Sequence, residues 1–335
     1  MYPLKRNRRL RTTAALRELV SESTLSISDL LAPLFLIEGS NIKESVDSMP
    51  GVYRYSVDLA LEKAKKLYDM GIPGILLFAK IDQKLKDNSG ESALNEDGLM
   101  QRAIRQIKKN IPNLILCADL ALDPYSIYGH DGIVENEKII NDRTNNVLAE
   151  IALSYAKNGA DIIAPSDMMD GRVYCIRKIL EKNNFVDTVI MSYSVKFASS
   201  FYGPFRNVLD SNPSFGDKKT YQMDFRNKKE GINEALQDIE EGADIIMVKP
   251  GLPYLDIVNE LANKTNVPIA VYQVSGEYSM IKSAEKMGWI NYKNVVMEQL
   301  MSFKWAGASI IITYFAEEAV KFLKKNEWSK ELFFM

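Results

Sequence analysis

Eight short runs of β-branched and aromatic residues recur along the chain, and longer stretches with helical spacing separate them. Each run is apolar almost throughout and does not alternate with polar residues, which is the pattern of parallel strands covered on both faces. The predicted strands cover residues 33–37, 74–78, 114–120, 161–166, 189–194, 245–250, 269–275 and 309–315. The predicted helices cover residues 59–70, 98–109, 145–158, 172–183, 232–241, 254–264, 279–287 and 295–305. Strand and helix therefore alternate along the chain.

A short phrase, Gly-Ala-Asp/Ser-Ile-Ile, occurs three times, beginning at Gly159, Gly242 and Gly307. Each copy follows a predicted helix and opens a predicted strand. The glycine provides the left-handed residue that ends a helix, and the next residues enter the sheet. Because the spacings of 83 and 65 residues differ, this is a repeated joint and not a solenoid. Eight βα units in about 300 residues predict a (β/α)8 TIM barrel, with a doubly wound open sheet as the alternative.

The first 28 residues precede the first predicted strand and are expected to form an extended N-terminal arm, while residues 29–335 form the catalytic barrel. The arm combines basic and apolar residues, namely Arg6, Arg8, Arg9, Arg11 and Arg17 with Leu4, Leu10, Leu16 and Leu19. That much apolar surface is not expected to be left in water, and the alternatives are a solvated tail or an organelle transit peptide.

The net charge and the cysteine content limit the partners that the protein is expected to bind and the cellular compartment in which it is expected to work. Lys and Arg number 42 and Asp and Glu number 44, and the resulting net charge of −2 disfavours nucleic-acid binding. No apolar run reaches the roughly 18 residues of a membrane span. Cys117 and Cys175 are too few for a disulfide framework. We therefore expect a cytoplasmic protein that binds neither nucleic acid nor membrane, with organelle import as the alternative.

Polar residues stand at the ends of most predicted strands, where the active site of such a barrel lies. The candidates are Asp119, Asp123, Asp131, Ser166, Asp167, Lys196, Lys249, Ser275 and Tyr314. The two lysines end neighbouring strands. A strand-end lysine commonly extends its ammonium into water. Alternatively, burial and a second cation can lower a lysine pKa from about 10.4 to about 7–8, which yields an amine able to form Schiff bases at neutral pH.

The segment 197–224 between the fifth strand and its helix is long enough to be an active-site lid. It carries Tyr202 and three donors suited to a substrate carboxylate, Arg206, Lys218 and Gln222. The alternative is a solvated surface loop. His130 is the only histidine, so multi-histidine metal sites are excluded, and neither a GxSxG elbow nor a phosphate-binding glycine motif is present. An orienting role for His130 is favoured over proton transfer.

Ordered motifs at 119–125, 129–132, 164–172, 191–206, 216–224, 247–254 and 272–278 resemble those of the porphobilinogen synthase family, also called 5-aminolevulinate dehydratases. The similarity runs from Arg8 to Ala316. It implies a hydro-lyase that condenses two molecules of 5-aminolevulinate to porphobilinogen, with loss of two waters, in tetrapyrrole (heme) biosynthesis. A one-lysine barrel lyase such as a class I aldolase, or an inactive barrel kept as a binding protein, are the alternatives.

The resemblance also assigns roles to the candidate residues. Lys249 would bind the first substrate, which becomes the propionate side of the product, with Ser275 and Tyr314 on its carboxylate. Lys196 would bind the second, acetate-side substrate. Arg206, Lys218 and Gln222 would hold the second carboxylate. The supporting residues would be Asp119, Asp123, Asp131, Ser166 and Tyr202.

The family resemblance further implies the metals and the assembly. Ala121, Asp123 and Asp131 stand where the zinc-dependent branch has three cysteines, so the chain is similar to the aspartate-type branch and no active-site zinc is expected. An allosteric, non-catalytic Mg²⁺ is implied at Glu234, which the sequence alone predicts as an exposed helix residue. The implied working form is a homo-octamer. Ile127 and Tyr128 depart from the residues usual before Gly129.

Overall fold

All eight predicted strands form, and they lie parallel in one sheet that closes on itself. This computed structural model describes residues 1–324. The barrel strands are Leu30–Leu36, Gly74–Ala79, Ile115–Leu120, Ile162–Pro165, Val189–Lys196, Ile245–Lys249, Ile269–Gln273 and Ile310–Thr313. Closure comes from pairing of the first strand with the eighth, where Leu30 lies opposite Ile311. The predicted (β/α)8 TIM barrel is confirmed, and the open-sheet alternative is wrong.

Helices surround the barrel, and every predicted helix is present within a few residues of its expected bounds. They are Val57–Asp69, Leu99–Asn110, Asn141–Lys157, Arg172–Lys182, Lys228–Glu240, Leu255–Lys264, Ser275–Lys286 and Tyr292–Ala306. Three further α-helices within residues 1–324 were not predicted, namely Ala14–Leu19, Gly203–Leu209 and Ala316–Lys324. The three repeated joints end their helices as expected, since Gly159, Gly242 and Gly307 have φ of 104°, 106° and 115°.

Both faces of each barrel strand are buried, which explains why apolar and polar residues do not alternate along the strands. The first strand begins three residues earlier than predicted, because Leu30 and Leu31 are already buried in the sheet. Two short hairpins lie outside the barrel wall: Lys43–Ser45 pairs with Tyr53–Tyr55, and Val134–Glu135 pairs with Lys138–Ile139. Strands of two or three residues carry too few side chains to give a period in the sequence.

The first 28 residues lie outside the barrel and form short helical turns at Asn7–Arg11, Ala14–Leu19 and Ile27–Asp29. Leu4 and Leu19 are each 80% exposed. The arm thus leaves apolar side chains in water in the single chain. None of the helices within residues 1–324 is long and apolar enough to cross a bilayer. The end of the predicted barrel domain, 325–335, lies outside the described residues.

Candidate active site

The two strand-end lysines lie side by side in the carboxyl-terminal mouth of the barrel. Lys196 is opposite Lys249 in the pairing of the fifth and sixth strands. Their exposed fractions are 7% and 5%, so neither ammonium extends into bulk water. The pairing contains a bulge, since Ile246 lies opposite Ser192 but Val248 lies opposite Val195. This extra residue in the fifth strand places Lys196, and not Val195, opposite Lys249.

Lys249 lies among aromatic rings. Its Nζ is 4.5 Å from the ring centre of Tyr272, 4.8 Å from that of Tyr193, 5.1 Å from that of Phe205 and 5.3 Å from that of Tyr202. Within residues 1–324, no carboxylate forms a salt bridge with it. Burial, reinforced by the charge of Lys196, lowers the pKa of Lys249 to about 7. A large fraction of this amine is therefore neutral and nucleophilic at neutral pH.

Lys196 has a different environment, because its Nζ is held by hydrogen bonds. It donates to Asp131 Oδ2 at 3.3 Å and to the backbone carbonyl of Ser166. Ser166 is the residue that follows the fourth strand, and Asp131 lies on the loop after the third strand. The structure therefore brings the predicted residues from three strand ends together around one amine.

Asp131 also binds Lys218 from the lid segment. Lys218 Nζ lies 2.6 Å from Asp131 Oδ1 and 3.4 Å from Asp123 Oδ2. Burial would raise the pKa of Asp131, but the ammonium groups of Lys218 and Lys196 outweigh burial and lower it. Asp123 and Asp131 thus each contact a lysine ammonium, and the side chain of Ala121 has no ligand atom.

Asp119 is a half-buried carboxyl group near the end of the third strand. Ser166 Oγ donates to its Oδ2 at 3.2 Å. Burial raises the pKa of Asp119 to about 7, although the charges of Lys249 and Lys196 act in the opposite direction. Asp119 can therefore both hold and release a proton near neutral pH, in the same mouth as the two lysines.

The predicted carboxylate-binding residues lie just after the ends of the seventh and eighth strands and in the lid segment, and Gln222 also lines the cavity that contains Glu234. Ser275 Oγ accepts the Phe205 N–H at 3.0 Å and donates to the Phe201 carbonyl at 3.2 Å, which ties the seventh strand to the lid. The hydroxyls of Tyr314 and Tyr272 are 3.0 Å apart. Tyr202 donates to the Lys249 carbonyl at 3.1 Å. Gln222 is buried and Arg206 is half-buried.

Gln222 carries a polar atom that remains without a partner. Its Oε1 is buried and makes no hydrogen bond to residues 1–324. Burying an unpaired amide oxygen costs free energy, so this atom is available to a water molecule or a ligand donor. The lid segment includes a helix and buries Tyr202, Lys218 and Gln222, which favours a lid over a fully solvated loop.

Glu234 lies in a separate cavity and is half-buried, so the sequence-based expectation of an exposed helix residue is wrong. Burial raises its pKa. The cavity, of about 250 Å³, also has the side chains of Asp170, Asp224, Glu230 and Asn141 in its wall. Within residues 1–324, no three His, Cys, Asp or Glu side chains are grouped closely enough to hold a metal ion directly.

Sequence reasoning missed a fully buried ionic cluster behind Lys196. Arg172 donates to both carboxylate oxygens of Asp238, at 3.4 and 3.3 Å, and to Ser192 Oγ at 3.1 Å. Its Nε is 3.8 Å from Asp167 Oδ2. Burial raises the pKa of Asp167 to about 6, with Arg172 opposing the rise. The outward position of Ser192 inside an apolar strand was the one signal in the sequence.

A closed parallel barrel with paired lysines and titratable carboxyl groups at its carboxyl-terminal mouth defines the class of (β/α)8-barrel enzymes. A family model described as Delta-aminolevulinic acid dehydratase matches residues 4–322. The chain belongs to this family and is therefore a lyase.

Named relatives cover almost the whole chain. It is 50% identical to the delta-aminolevulinic acid dehydratase of Helicobacter pylori, over 96% of this chain and 99% of that protein. It is 49% identical to that of Halalkalibacterium halodurans, over 96% and 98%. The crystal structure of the Toxoplasma gondii enzyme, in complex with the reaction product porphobilinogen, superposes with a TM-score of 0.93. The two sequences are 47% identical, and the aligned residues cover 95% of this chain and 91% of the Toxoplasma gondii chain.

Proposed function

We propose that this protein condenses two molecules of 5-aminolevulinate to porphobilinogen through Schiff bases on Lys249 and Lys196. Family membership gives the overall reaction. The observation that supports the two-lysine mechanism is the pairing of both buried amines on adjacent strands, with one of them nucleophilic at neutral pH. A one-lysine aldolase has no need for the second amine, and an inactive barrel has no need for either.

Lys249 is the amine suited to react first. Its neutral Nζ attacks the ketone carbon of one substrate, and the resulting carbinolamine loses water to give a protonated iminium. The leaving hydroxyl needs a proton, and Asp119, with a pKa of about 7, is the half-buried carboxyl group able to supply and recover it. Ser275 and Tyr314 are assigned to the carboxylate of this substrate.

Lys196 takes the second substrate. Its bonds to Asp131 and to the Ser166 carbonyl hold the amine in place and must be exchanged for bonds to substrate. An iminium withdraws electrons from the neighbouring carbon, so a proton can leave from that carbon. Carbon–carbon and carbon–nitrogen bonds then form between substrates held at high effective concentration. Together the two condensations release two waters.

The second carboxylate is assigned to Arg206, Gln222 and Lys218. Lys218 is already paired with Asp131 and Asp123, so it can bind a substrate carboxylate only as a shared partner. Arg206 is half-buried and can approach from the lid. Tyr202 supports the site by fixing the backbone at Lys249.

Borohydride reduction in the presence of 5-aminolevulinate tests this proposal. We expect a stable adduct on Lys249 and a less abundant one on Lys196, because the first amine is neutral and the second is held by two acceptors. Peptide mass spectrometry locates the adducts, and Lys249→Met and Lys196→Met serve as matched variants. Adducts confined to other lysines would show that the mechanism is wrong.

We also propose that catalysis is independent of zinc and that Mg²⁺ acts at Glu234. The cavity around Glu234 offers oxygen atoms, which suit Mg²⁺, and an ion there would keep part of its water shell. When bound, the ion supplies positive charge to these oxygens. Glu234, Glu230 and Asp170 would hold it through water molecules of that shell, since they are not grouped closely enough to bind it directly together.

A chelator series tests the two metal assignments. A zinc-specific chelator is expected to leave turnover unchanged, because Ala121, Asp123 and Asp131 provide no thiolate. Any stimulation by added Mg²⁺ should disappear in Glu234→Gln but persist in Glu240→Gln, an exposed change on the same helix. Loss of activity that only zinc restores would contradict the zinc assignment.

The exposed arm and the free cysteines bear on the oligomeric state and the cellular compartment of the protein. We propose a homo-octamer in which the arm, residues 1–28, packs on a neighbouring subunit, since the single chain leaves Leu4 and Leu19 exposed. The free thiols of Cys117 and Cys175 support a reducing cytoplasm.

Deleting residues 1–20 should reduce both the assembly size and turnover while the barrel remains folded. The arm lies outside the eight-stranded sheet, so its loss removes intersubunit contacts and no barrel strand. Light scattering, circular dichroism and an activity assay on one preparation measure the three quantities. A fully active monomer would rule out the role of the arm.

A further inference from the structure

His130 connects the lid segment to the loop that carries Asp131, and it is 1% exposed. Its Nδ1 lies 3.0 Å from the hydroxyl of Tyr221, and its Nε2 lies 3.1 Å from the carbonyl oxygen of Phe215. Its ring also packs on the Phe215 ring at 4.5 Å between centres. Both partners belong to the lid, whereas His130 follows the third barrel strand. The only histidine in the chain is thus wholly engaged by the lid.

These contacts fix the direction of every hydrogen bond in the group. A carbonyl oxygen can only accept, so the imidazole hydrogen must be on Nε2. Nδ1 is then an acceptor, and the Tyr221 hydroxyl donates to it. The same hydroxyl oxygen accepts the backbone N–H of Asp131 at 3.3 Å. Burial lowers the pKa of His130, although its bond to the Phe215 carbonyl opposes the shift, so the neutral ring predominates at neutral pH.

The backbone of the lid also lies directly on this turn. The Ser214 N–H donates to the Tyr128 carbonyl at 2.9 Å. Gly129 has φ of +65°, and a Cβ there would lie 2.2 Å from the Asn212 carbonyl oxygen. The turn therefore fits the lid only with glycine at this position.

The result is a mechanical link from the lid to Lys196. Tyr221 holds the Asp131 backbone, and the Asp131 carboxylate binds Lys196 and Lys218. Lys249 lies near a different anchor, because Ser275 binds the Phe205 N–H and the Phe201 carbonyl at the other end of the lid, and the Tyr202 hydroxyl donates to the Lys249 carbonyl. The lid is therefore attached at two places: the contacts of Tyr221 lie on the side of Lys196, and those of Ser275 lie on the side of Lys249.

We propose that His130, as its neutral Nε2–H tautomer, is a positioning residue that latches the lid to the Asp131 turn and so assembles the Lys196 half of the active site. The inference rests on the proposed two-lysine function. Its specific consequence is that loss of the latch impairs Lys196 and leaves Lys249 able to react.

The test compares Tyr221→Phe with Tyr128→Phe. The first removes the hydroxyl that joins His130 to Asp131. The second removes a hydroxyl from another ring that packs on Phe215, at 5.9 Å between centres, and this hydroxyl makes no hydrogen bond within residues 1–324. Adducts are trapped with borohydride and 5-aminolevulinate, and the ratio of Lys196 to Lys249 adduct is measured by mass spectrometry.

In Tyr221→Phe we expect the adduct ratio to fall about tenfold, the effect of losing one or two net hydrogen bonds, with kcat/KM reduced and the Lys249 adduct unchanged. Tyr128→Phe should match the wild type. His130→Gln, which retains a donor and an acceptor, should fall between them. Trypsin cleavage after Lys219, an exposed lid residue, should accelerate in the same order.

Two results would overturn the latch: an unchanged adduct ratio in Tyr221→Phe, or an equal fall of both adducts, which would mean general structural damage. Thermal unfolding of each variant identifies a misfolded protein, and the ratio in His130→Gln then decides. Absence of any adduct in the wild type would instead contradict the proposed function.

Discussion

Replacing Lys249 with methionine is expected to lower turnover at least about 10⁵-fold, the scale on which loss of a covalent nucleophile is measured in enzymes. Methionine fills a similar volume among the rings of Tyr272 and Tyr193 but cannot form an iminium. Lys196 cannot substitute for it, since its Nζ is engaged by Asp131 and Ser166. A single-turnover assay of porphobilinogen formation measures the loss.

Two measurements separate this chemical loss from a structural one. Lys108→Met removes a partly buried ammonium that is paired with Asp161 near the start of the fourth strand, and it should retain turnover. Lys249→Met itself should be more stable than the wild type. Retention of more than a small fraction of the wild-type rate in Lys249→Met would contradict the role of this lysine.

The expected gain in stability of Lys249→Met follows from the lowered pKa of Lys249. The Lys249 pKa falls from 10.5 in the unfolded chain to about 7 in the folded protein. Between these values the unfolded state binds the extra proton, so the wild type loses stability as the pH falls and the loss is complete below about pH 7. Methionine removes this cost, which is on the order of 4 kcal/mol. Urea unfolding at pH 6 and pH 9 should show the larger gain at pH 6.

The second large effect is on the pH dependence of kcat/KM. The Lys249 amine is neutral above its pKa of about 7 and protonated below it. We therefore expect kcat/KM to approach a tenfold fall for each pH unit well below that value, and to fall about 50-fold between pH 7 and pH 5. Steady-state rates in overlapping buffers measure the profile, and a flat profile down to pH 5 would be inconsistent with a neutral Lys249.

Asp119 offers a way to assign this profile to Lys249. The Asp119 carboxylate raises the Lys249 pKa, so Asp119→Asn should shift the acidic limb to lower pH. The rate of borohydride trapping on Lys249 can be followed even where turnover is lost. An upward shift would mean that a different group controls the limb.

The barrel could be predicted because its determinants are local. Each strand is a continuous apolar run, and a glycine such as Gly159 or Gly242 marks the joint before it. The lysines were identified for a related reason, since a charged residue at the end of a buried strand contrasts with its neighbours. The length of the lid segment could be predicted from the sequence, but its helix Gly203–Leu209 could not. This helix is short, and Ser275, which is distant in the sequence, binds its backbone.

The ion pairs within the site could not be predicted from the sequence, because they join residues that are distant in the chain. Lys218 was assigned to a substrate carboxylate, yet its nearest anions are Asp131 and Asp123, 87 and 95 residues away in the chain. Glu234 was expected to be exposed, since nothing in its helix indicates the lid residues that cover it. The bulge in the fifth strand has no sequence signature, as neither glycine nor proline occurs within it.

That bulge sets the distance over which the two substrates meet. Neighbouring strands in any sheet lie about 4.8 Å apart, and the extra residue puts one reactive amine on each of two such strands at the same height. Hydrogen-bond spacing, which cannot be altered by exchanging side chains, therefore fixes the separation of the two backbone positions from which the lysines extend. If the fifth strand paired regularly from Ser192 onward, without the bulge, Lys196 would lie opposite Pro250 and on the other side of the sheet. Side chains around the mouth can therefore vary the metal and the carboxylate contacts while the separation of the reacting molecules stays constant.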